Sequence, residues 1–371
     1  MAWLQRLGYR LIRPVLFALD AESTHERLLA WLERTQGSAW QTLYQLPRTH
    51  DPLSLAGLQF PNRVGLAAGL DKSARCLPAM SAMGFGFAEV GSVAPQGESW
   101  PARPRLFRLP QAKALINRIG YHREGLDSFV PALRQAREQL GEPGPEVMKL
   151  GVNIAHNVAT PPERALSDHA RCLRAVYPLA DYVTINLSRP RVQGGPSEAS
   201  GMAMPEWLQQ IDTLRLALQD QHGRALPLFL KISPDLDEAQ AGELAQALLD
   251  HIQSPAGKTL RWGLIATNTS ADRTELSGLR HGAEPGGLSG LPLRTRSNQM
   301  ITRFRQALGP DVPIIGVGGI LSAGDALAKL HAGADLVQLY TGLIYRGPAL
   351  VSEVARELAQ ARARATAPST G

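Results

Sequence analysis

From about residue 53 onward the sequence repeats one rhythm: a short apolar run ends in small or polar residues, and a helix-patterned stretch follows. The runs are RVGLAAG (63–69), FAEVGSV (87–93), VMKLGVNI (147–154), DYVTINLS (181–188), PLFLKIS (227–233), GLIATNTS (263–270), VPIIGVGGI (312–320) and LVQLYTGL (336–343). They are apolar nearly throughout, as strands covered on both faces must be. Helical periodicity marks the intervals, for example EWLQQIDTLRLALQDQ, DEAQAGELAQALLDH and SAGDALAKLHAG. Eight strand–helix units over roughly 300 residues predict an α/β chain closed into a (β/α)8 TIM barrel. An open doubly wound sheet is the alternative, but the count of eight and the lack of a GxGxxG after the first strand weigh against it.

Composition narrows the function classes. With 371 residues and 44% hydrophobic content the chain can bury one large core and carry a small appendage. The net charge of +6 is scattered, without Lys/Arg runs or interleaved aromatics, which argues against nucleic-acid binding. Cys76 and Cys172 have neither metal-type nor disulfide-type spacing and read as reduced thiols of a cytosolic protein. The nine histidines form no HExxH-like cluster, so no metal site is expected.

The N-terminus has neither a secretory signal pattern nor a spanning-length apolar stretch. It places Leu4, Leu7, Leu11, Val15 and Leu19 on one helical stripe, with Arg6, Arg10 and Arg13 on other faces. Pro14 is expected to kink this segment or divide it into two short helices. A second helix carries Leu28, Leu29, Trp31 and Leu32, with a cap expected near Ser23 or Thr24. By pattern alone the pair either lies in a membrane interface or packs on the main domain. The predicted organisation is an amphipathic extension over 1–40, a barrel over 41–360 and a disordered tail over 361–371.

Polar residues collect where such a barrel keeps its chemistry, at the C-terminal ends of the strands. In chain order these are Lys72, Asn153, Asn186, Lys231, the trio Thr267, Asn268 and Thr269, the glycines of GVGGI, and Tyr340 with Thr341. Gly316, Gly318 and Gly319 before the seventh helix, with Thr341 and Gly342 after the eighth strand, form the pair of loops where barrels bind phosphate. Lys72 and Lys231 are cations suited to an electron-rich ring such as a reduced flavin. Together they suggest flavin mononucleotide (FMN). A phosphosugar substrate with Lys231 as a Schiff-base lysine explains less, because it leaves the asparagines without a role.

The ordered motifs NRVGLAAGLDK, GFGFAEVGSV, RPRLFRLP, LINRIG, GVNI, TIN, KISPDL, IATNTS, GGLSG, IIGVGGI and LVQLYTG resemble class 2 dihydroorotate dehydrogenase, the membrane-associated, quinone-linked flavoenzyme family. The likeness spans about residues 8 to 350, and LDAESTHE resembles the family's two-helix extension, which leads quinone to the flavin. The resemblance implies FMN contacts at Lys72, Asn153, Asn186, Lys231, Thr267, Gly290, Gly318, Gly319, Tyr340 and Thr341. It implies pyrimidine and carboxylate contacts at Asn117, Asn186, Asn268 and Thr269, and a quinone tunnel past His25, Arg108 and Tyr340. A base takes the C5 proton of dihydroorotate, C6 delivers hydride to the flavin, and a membrane quinone removes the electrons. The implied location is the cytoplasmic side of the membrane, held peripherally by the N-terminal helices.

One stretch departs from the family. Its strand-four sequence Asn-x-Ser-Ser-Pro-Asn is here Asn186-Leu187-Ser188-Arg189-Pro190-Arg191. Arg189 stands at the base position and Arg191 at the substrate-asparagine position. A guanidinium has no acceptor and a pKa above about 12, so it cannot take a proton at neutral pH. Tyr121 and His122 replace the family's Phe and Asn in a second loop, INRIGYHREG, and GVNIAHNV lacks its Gly-Lys. Three readings follow. A different, more anionic substrate is favoured, because guanidinium pairs bidentately with carboxylate and phosphate; Tyr121 and His122 are then acid–base candidates. A displaced base, Ser188 or His122, would preserve dihydroorotate oxidation. A flavin-binding protein without this chemistry is the third.

Overall fold

The computed structural model describes residues 2–188, 202–254 and 260–366; Arg189 and Arg191 lie outside the described residues. The eight runs form eight parallel strands: β3 (Val64–Leu66), β4 (Phe87–Val93), β7 (Lys149–Ile154), β8 (Tyr182–Asn186), β9 (Leu228–Ile232), β10 (Trp262–Ala266), β12 (Ile314–Val317) and β13 (Leu336–Leu339). They pair in chain order and β13 closes onto β3, for example Val337 beside Val64. The helices α3 (Leu77–Ala82), α4 (Leu126–Leu140), α5 (Ala165–Val176), α6 (Met204–His222), α7 (Glu238–Gln253), α8 (Arg294–Leu308) and α9 (Ala323–His331) follow the strands; α10 (Thr341–Arg346) and α11 (Ala349–Thr366) complete the chain. The seven-residue β4 and six-residue β7 are covered on both faces, which explains their unbroken apolar sequence.

The bottom of the barrel is filled by rings. Phe60, Phe87, Tyr182 and Phe229 pack edge to face, with centroids 5.4–6.4 Å apart. Each of three glycines makes room for a neighbouring ring. A Cβ on Gly65 would lie 2.3 Å from Phe87, on Gly151 2.1 Å from Tyr182, and on Gly263 2.5 Å from Phe229. A hairpin, β1 (Leu53–Leu55) and β2 (Leu58–Phe60), covers this end with Leu53, Leu55 and Leu58. At the opposite end a three-stranded antiparallel sheet, β5 (Leu106–Leu109), β6 (Ala114–Asn117) and β11 (Gly287–Gly290), stands over the mouth. Neither feature follows from the eightfold rhythm.

The N-terminal pair is α1 (Ala2–Ala18) and α2 (Ala21–Thr35). Pro14 lies inside α1 and does not divide it. A proline costs an interior helix one hydrogen bond, and tertiary contacts on both sides of Pro14 offset that loss. Tyr9 donates to the Ile344 carbonyl at 2.5 Å, Arg13 to the Tyr345 carbonyl at 2.9 Å, and Phe17 packs on Tyr345. The cap of α2 is Asp20, not Ser23 or Thr24: its carboxylate accepts the Ser23 N–H at 2.8 Å. The C-terminal helix also runs further than expected. Residues 361–366 continue α11, with Arg362 paired to Asp51 at 2.9 Å.

Candidate active site

A cavity of about 630 Å³ opens at the C-terminal ends of the barrel strands, under the three-stranded sheet. One part of its lining carries Asn117 from β6, Tyr121 from the loop after it, Asn186 and Ser188 from the end of β8, and Asn268 and Thr269 after β10. These groups are organised by one another. Asn268 donates its amide to Asn186 Oδ1 at 3.1 Å, and the Ser188 backbone N–H reaches the same oxygen at 3.0 Å. Ser188 is buried. The strand ends and the loop at Tyr121 therefore bring six of the expected substrate-side residues into one cavity.

Another part of the lining carries Lys72, Lys231, Thr267, Gly290, Gly318, Gly319, Tyr340 and Thr341. Gly318 and Gly319 have φ of +113° and +74°, backbone that only glycine adopts without strain, so the loop after β12 can bring its amides close to an anion. Lys72 donates to the Gly120 carbonyl at 2.6 Å and lies over the Trp100 ring; burial, ahead of the charges around it, pushes its pKa down to about 8. Trp100 donates to the Tyr121 carbonyl at 2.9 Å, which steadies the same loop. Burial pushes the Tyr340 phenol up to about 12, and its hydroxyl donates to the Gly69 carbonyl at 3.3 Å. The Thr267 hydroxyl is buried without a hydrogen-bond partner among the described residues. A buried orphan hydroxyl, two lysines and a glycine-rich loop suited to phosphate on one cavity fit FMN.

Some expected residues lie elsewhere. His122 does not line the cavity: its ring packs on Phe129 at 5.5 Å, and burial holds its pKa below the usual histidine value. Tyr121 lines the cavity and His122 does not, which weakens His122 as an acid–base candidate. Asn153 lies beneath the lining, donating to Glu89 at 2.8 Å. Arg108 donates to the carbonyls of Leu16 and Leu19 at 3.0 and 2.9 Å, satisfying the open C-terminal end of α1. His25 lies on α2, its pKa pushed down to about 4 by burial first and by the Lys72 charge second. A buried ion pair between Glu22 and Arg105 ties α2 to the strand that leads to the site.

Two lining or underlying residues carry weight that sequence reading passed over, Glu89 and Gln338. Both were visible as single polar residues at inward positions of otherwise apolar strands, in FAEVGSV and LVQL.

The profile of the family described as Dihydroorotate dehydrogenase matches residues 52–361. A protein named Dihydroorotate dehydrogenase (quinone) from Albidiferax ferrireducens is 50% identical over 355 residues, covering 94% of this chain and 97% of its own. One of the same name from Verminephrobacter eiseniae is 51% identical over 352 residues, covering 95% of each. Among solved structures, ligand-free DHODH from Eimeria tenella superposes with a TM-score of 0.79 at 33% identity, over 94% of this chain and 96% of that one. Fold, site and sequence agree, and the chain belongs to the dihydroorotate dehydrogenase family.

Proposed function

We propose that this chain is an FMN-dependent dehydrogenase that oxidises dihydroorotate and passes the electrons to a membrane quinone. The observation that carries the reading is the shared cavity: Asn117, Asn186, Ser188, Asn268 and Thr269 line the same space as Lys72, Lys231 and the Gly318–Gly319 loop. The name shared by relatives at about half identity supports the substrate. FMN, when bound, supplies a two-electron acceptor for hydride and a carrier from which quinone can withdraw electrons. The amides of Asn117, Asn186 and Asn268 hold the carbonyl and carboxylate oxygens of a pyrimidine acid. Ser188 Oγ takes the C5 proton as its own hydroxyl proton passes to water in the cavity, since Arg189 has no acceptor and His122 does not line the cavity.

The N-terminal pair, residues 1–40, serves as the quinone and lipid contact. Leu7, Leu11, Ile12, Val15 and Leu19 are exposed, Leu11 at 70% and Val15 at 65%, which suits a helix lying in an interface. No helix among the described residues is long and apolar enough to cross a membrane, so peripheral attachment at the cytoplasmic face is the mode proposed. Phe17, Leu115, Leu321, Ile344 and Tyr345 form an apolar cluster with Tyr340, and Arg108 lies over the Phe17 ring at 4.9 Å, which supports a quinone route along this side of α1.

A second reading rests on Arg189 and Arg191. Two arginines one and three positions after Ser188 in the sequence favour a substrate more anionic than dihydroorotate, a dicarboxylate or a phosphate. One experiment separates the two. Protein reconstituted with FMN is mixed anaerobically with excess dihydroorotate, and the flavin's visible absorbance is followed. Rapid bleaching is expected. Flavin that dithionite reduces but dihydroorotate does not would move the assignment to the second reading.

A further inference from the structure

Glu89 sits inside the barrel, fully buried, on the inward face of β4. This interior is ordinarily filled with branched apolar side chains. Here the carboxylate gathers five donors. Oε1 takes the Asn153 amide at 2.8 Å and the Lys231 ammonium at 3.4 Å. Oε2 takes Thr184 at 2.9 Å, the Gln338 amide at 3.1 Å and Tyr182 at 3.5 Å. Three of the five are N–H groups, which can only donate. Tyr182 is held protonated by burial first and by the Glu89 charge second, so it donates as well.

A purely structural role explains this poorly. Buried ion pairs contribute little to stability, and well-packed apolar residues often do better in their place. What distinguishes Glu89 is where its partners lead. Lys231 and Gln338 both line the cavity. Asn153 accepts the hydroxyl of Ser92, which in turn takes the Asn186 amide at 3.5 Å, and both of those residues line it too. The carboxylate thus underlies the cavity and is paired to Lys231, a cation of the cavity lining.

We propose that the Glu89 carboxylate sets how readily the bound flavin accepts electrons, its negative charge offsetting part of the positive field of the Lys231 ammonium. This rests on the FMN reading. A cation beside the ring favours the electron-rich reduced form, and a carboxylate behind that cation weakens the preference. The quantity to read is the midpoint potential of the bound flavin, measured against a reference dye.

Glu89→Gln keeps the shape and removes the charge. It is expected to shift the oxidised–reduced equilibrium at least tenfold towards reduced flavin, a rise of about 30 mV for a two-electron couple. Glu89→Asp, which keeps the charge, is expected to stay near wild type. If Glu89→Gln fails to retain flavin, Lys231→Met and the double variant Lys231→Met/Glu89→Gln read the same quantity. The double variant should have the higher potential of the two. Equal potentials in either comparison, or equal shifts from Gln and Asp, would overturn the proposal. Wild-type protein that takes up no FMN would instead overturn the cofactor reading on which it stands.

Discussion

Ser188 and His25 show how burial changes what a side chain can do. Ser188 is buried at the cavity, two residues beyond Asn186, where a proton acceptor is needed. Ser188→Ala is expected to slow anaerobic flavin reduction by about 10²- to 10⁴-fold, the usual loss on removing a base. Flavin content and spectrum should not change, and stopped-flow absorbance checks both. A rate within a factor of three of wild type would assign the proton to another acceptor. His25 offers a test through stability. Its pKa of about 4 lies below the ordinary histidine value of 6.5, so between these limits the unfolded chain binds a proton that the folded chain refuses. Stability therefore falls as pH drops through that window, by about 1.4 kcal/mol per pH unit from this group. Between pH 6.5 and 5, wild type should lose about 2 kcal/mol more than His25→Phe. Urea titrations at the two pH values measure the difference.

Helix α1 is docked by one face and bare on the other. Tyr9, Arg13 and Phe17 fasten it to the segment around Ile344 and Tyr345. Leu7, Leu11 and Val15 remain exposed. Leu11→Asp with Val15→Asp is expected to weaken binding to anionic vesicles at least tenfold, because both the buried apolar area and the favourable charge balance decrease. Flotation with labelled vesicles reads this, and the flavin spectrum should not move because the docking face is untouched. Vesicle binding equal to wild type would assign lipid contact to another surface.

The barrel as a body depends on the fit between rings and glycines at its closed end. Gly151→Ala would put a methyl group 2.1 Å from the Tyr182 ring, which is already fixed between Phe87 and Phe229. The strain should cost about 1–3 kcal/mol, seen as a lower urea midpoint with an unchanged slope. Because Tyr182 also reaches Glu89, the displacement is expected to loosen flavin as well. Equal midpoints would mean that the ring layer can shift to absorb a methyl group.

Much of this protein is determined by sequence alone. Eight buried strands are legible because a strand covered on both faces must be apolar along its length. The cavity-lining residues from Lys72 to Thr341 are legible because a parallel barrel gathers its strand ends at one mouth. Other features depend on contacts between distant segments, which no local pattern encodes. The sheet of β5, β6 and β11 joins strands some 170 residues apart. Only packing around Tyr9, Arg13 and Phe17 carries α1 through Pro14, and only the packing of His122 on Phe129 keeps it out of the cavity that Tyr121 lines. Glu89 is the sharpest case: the sequence shows an acid in an apolar strand, but its five partners come from β7, β8, β9 and β13 and meet only when the barrel closes.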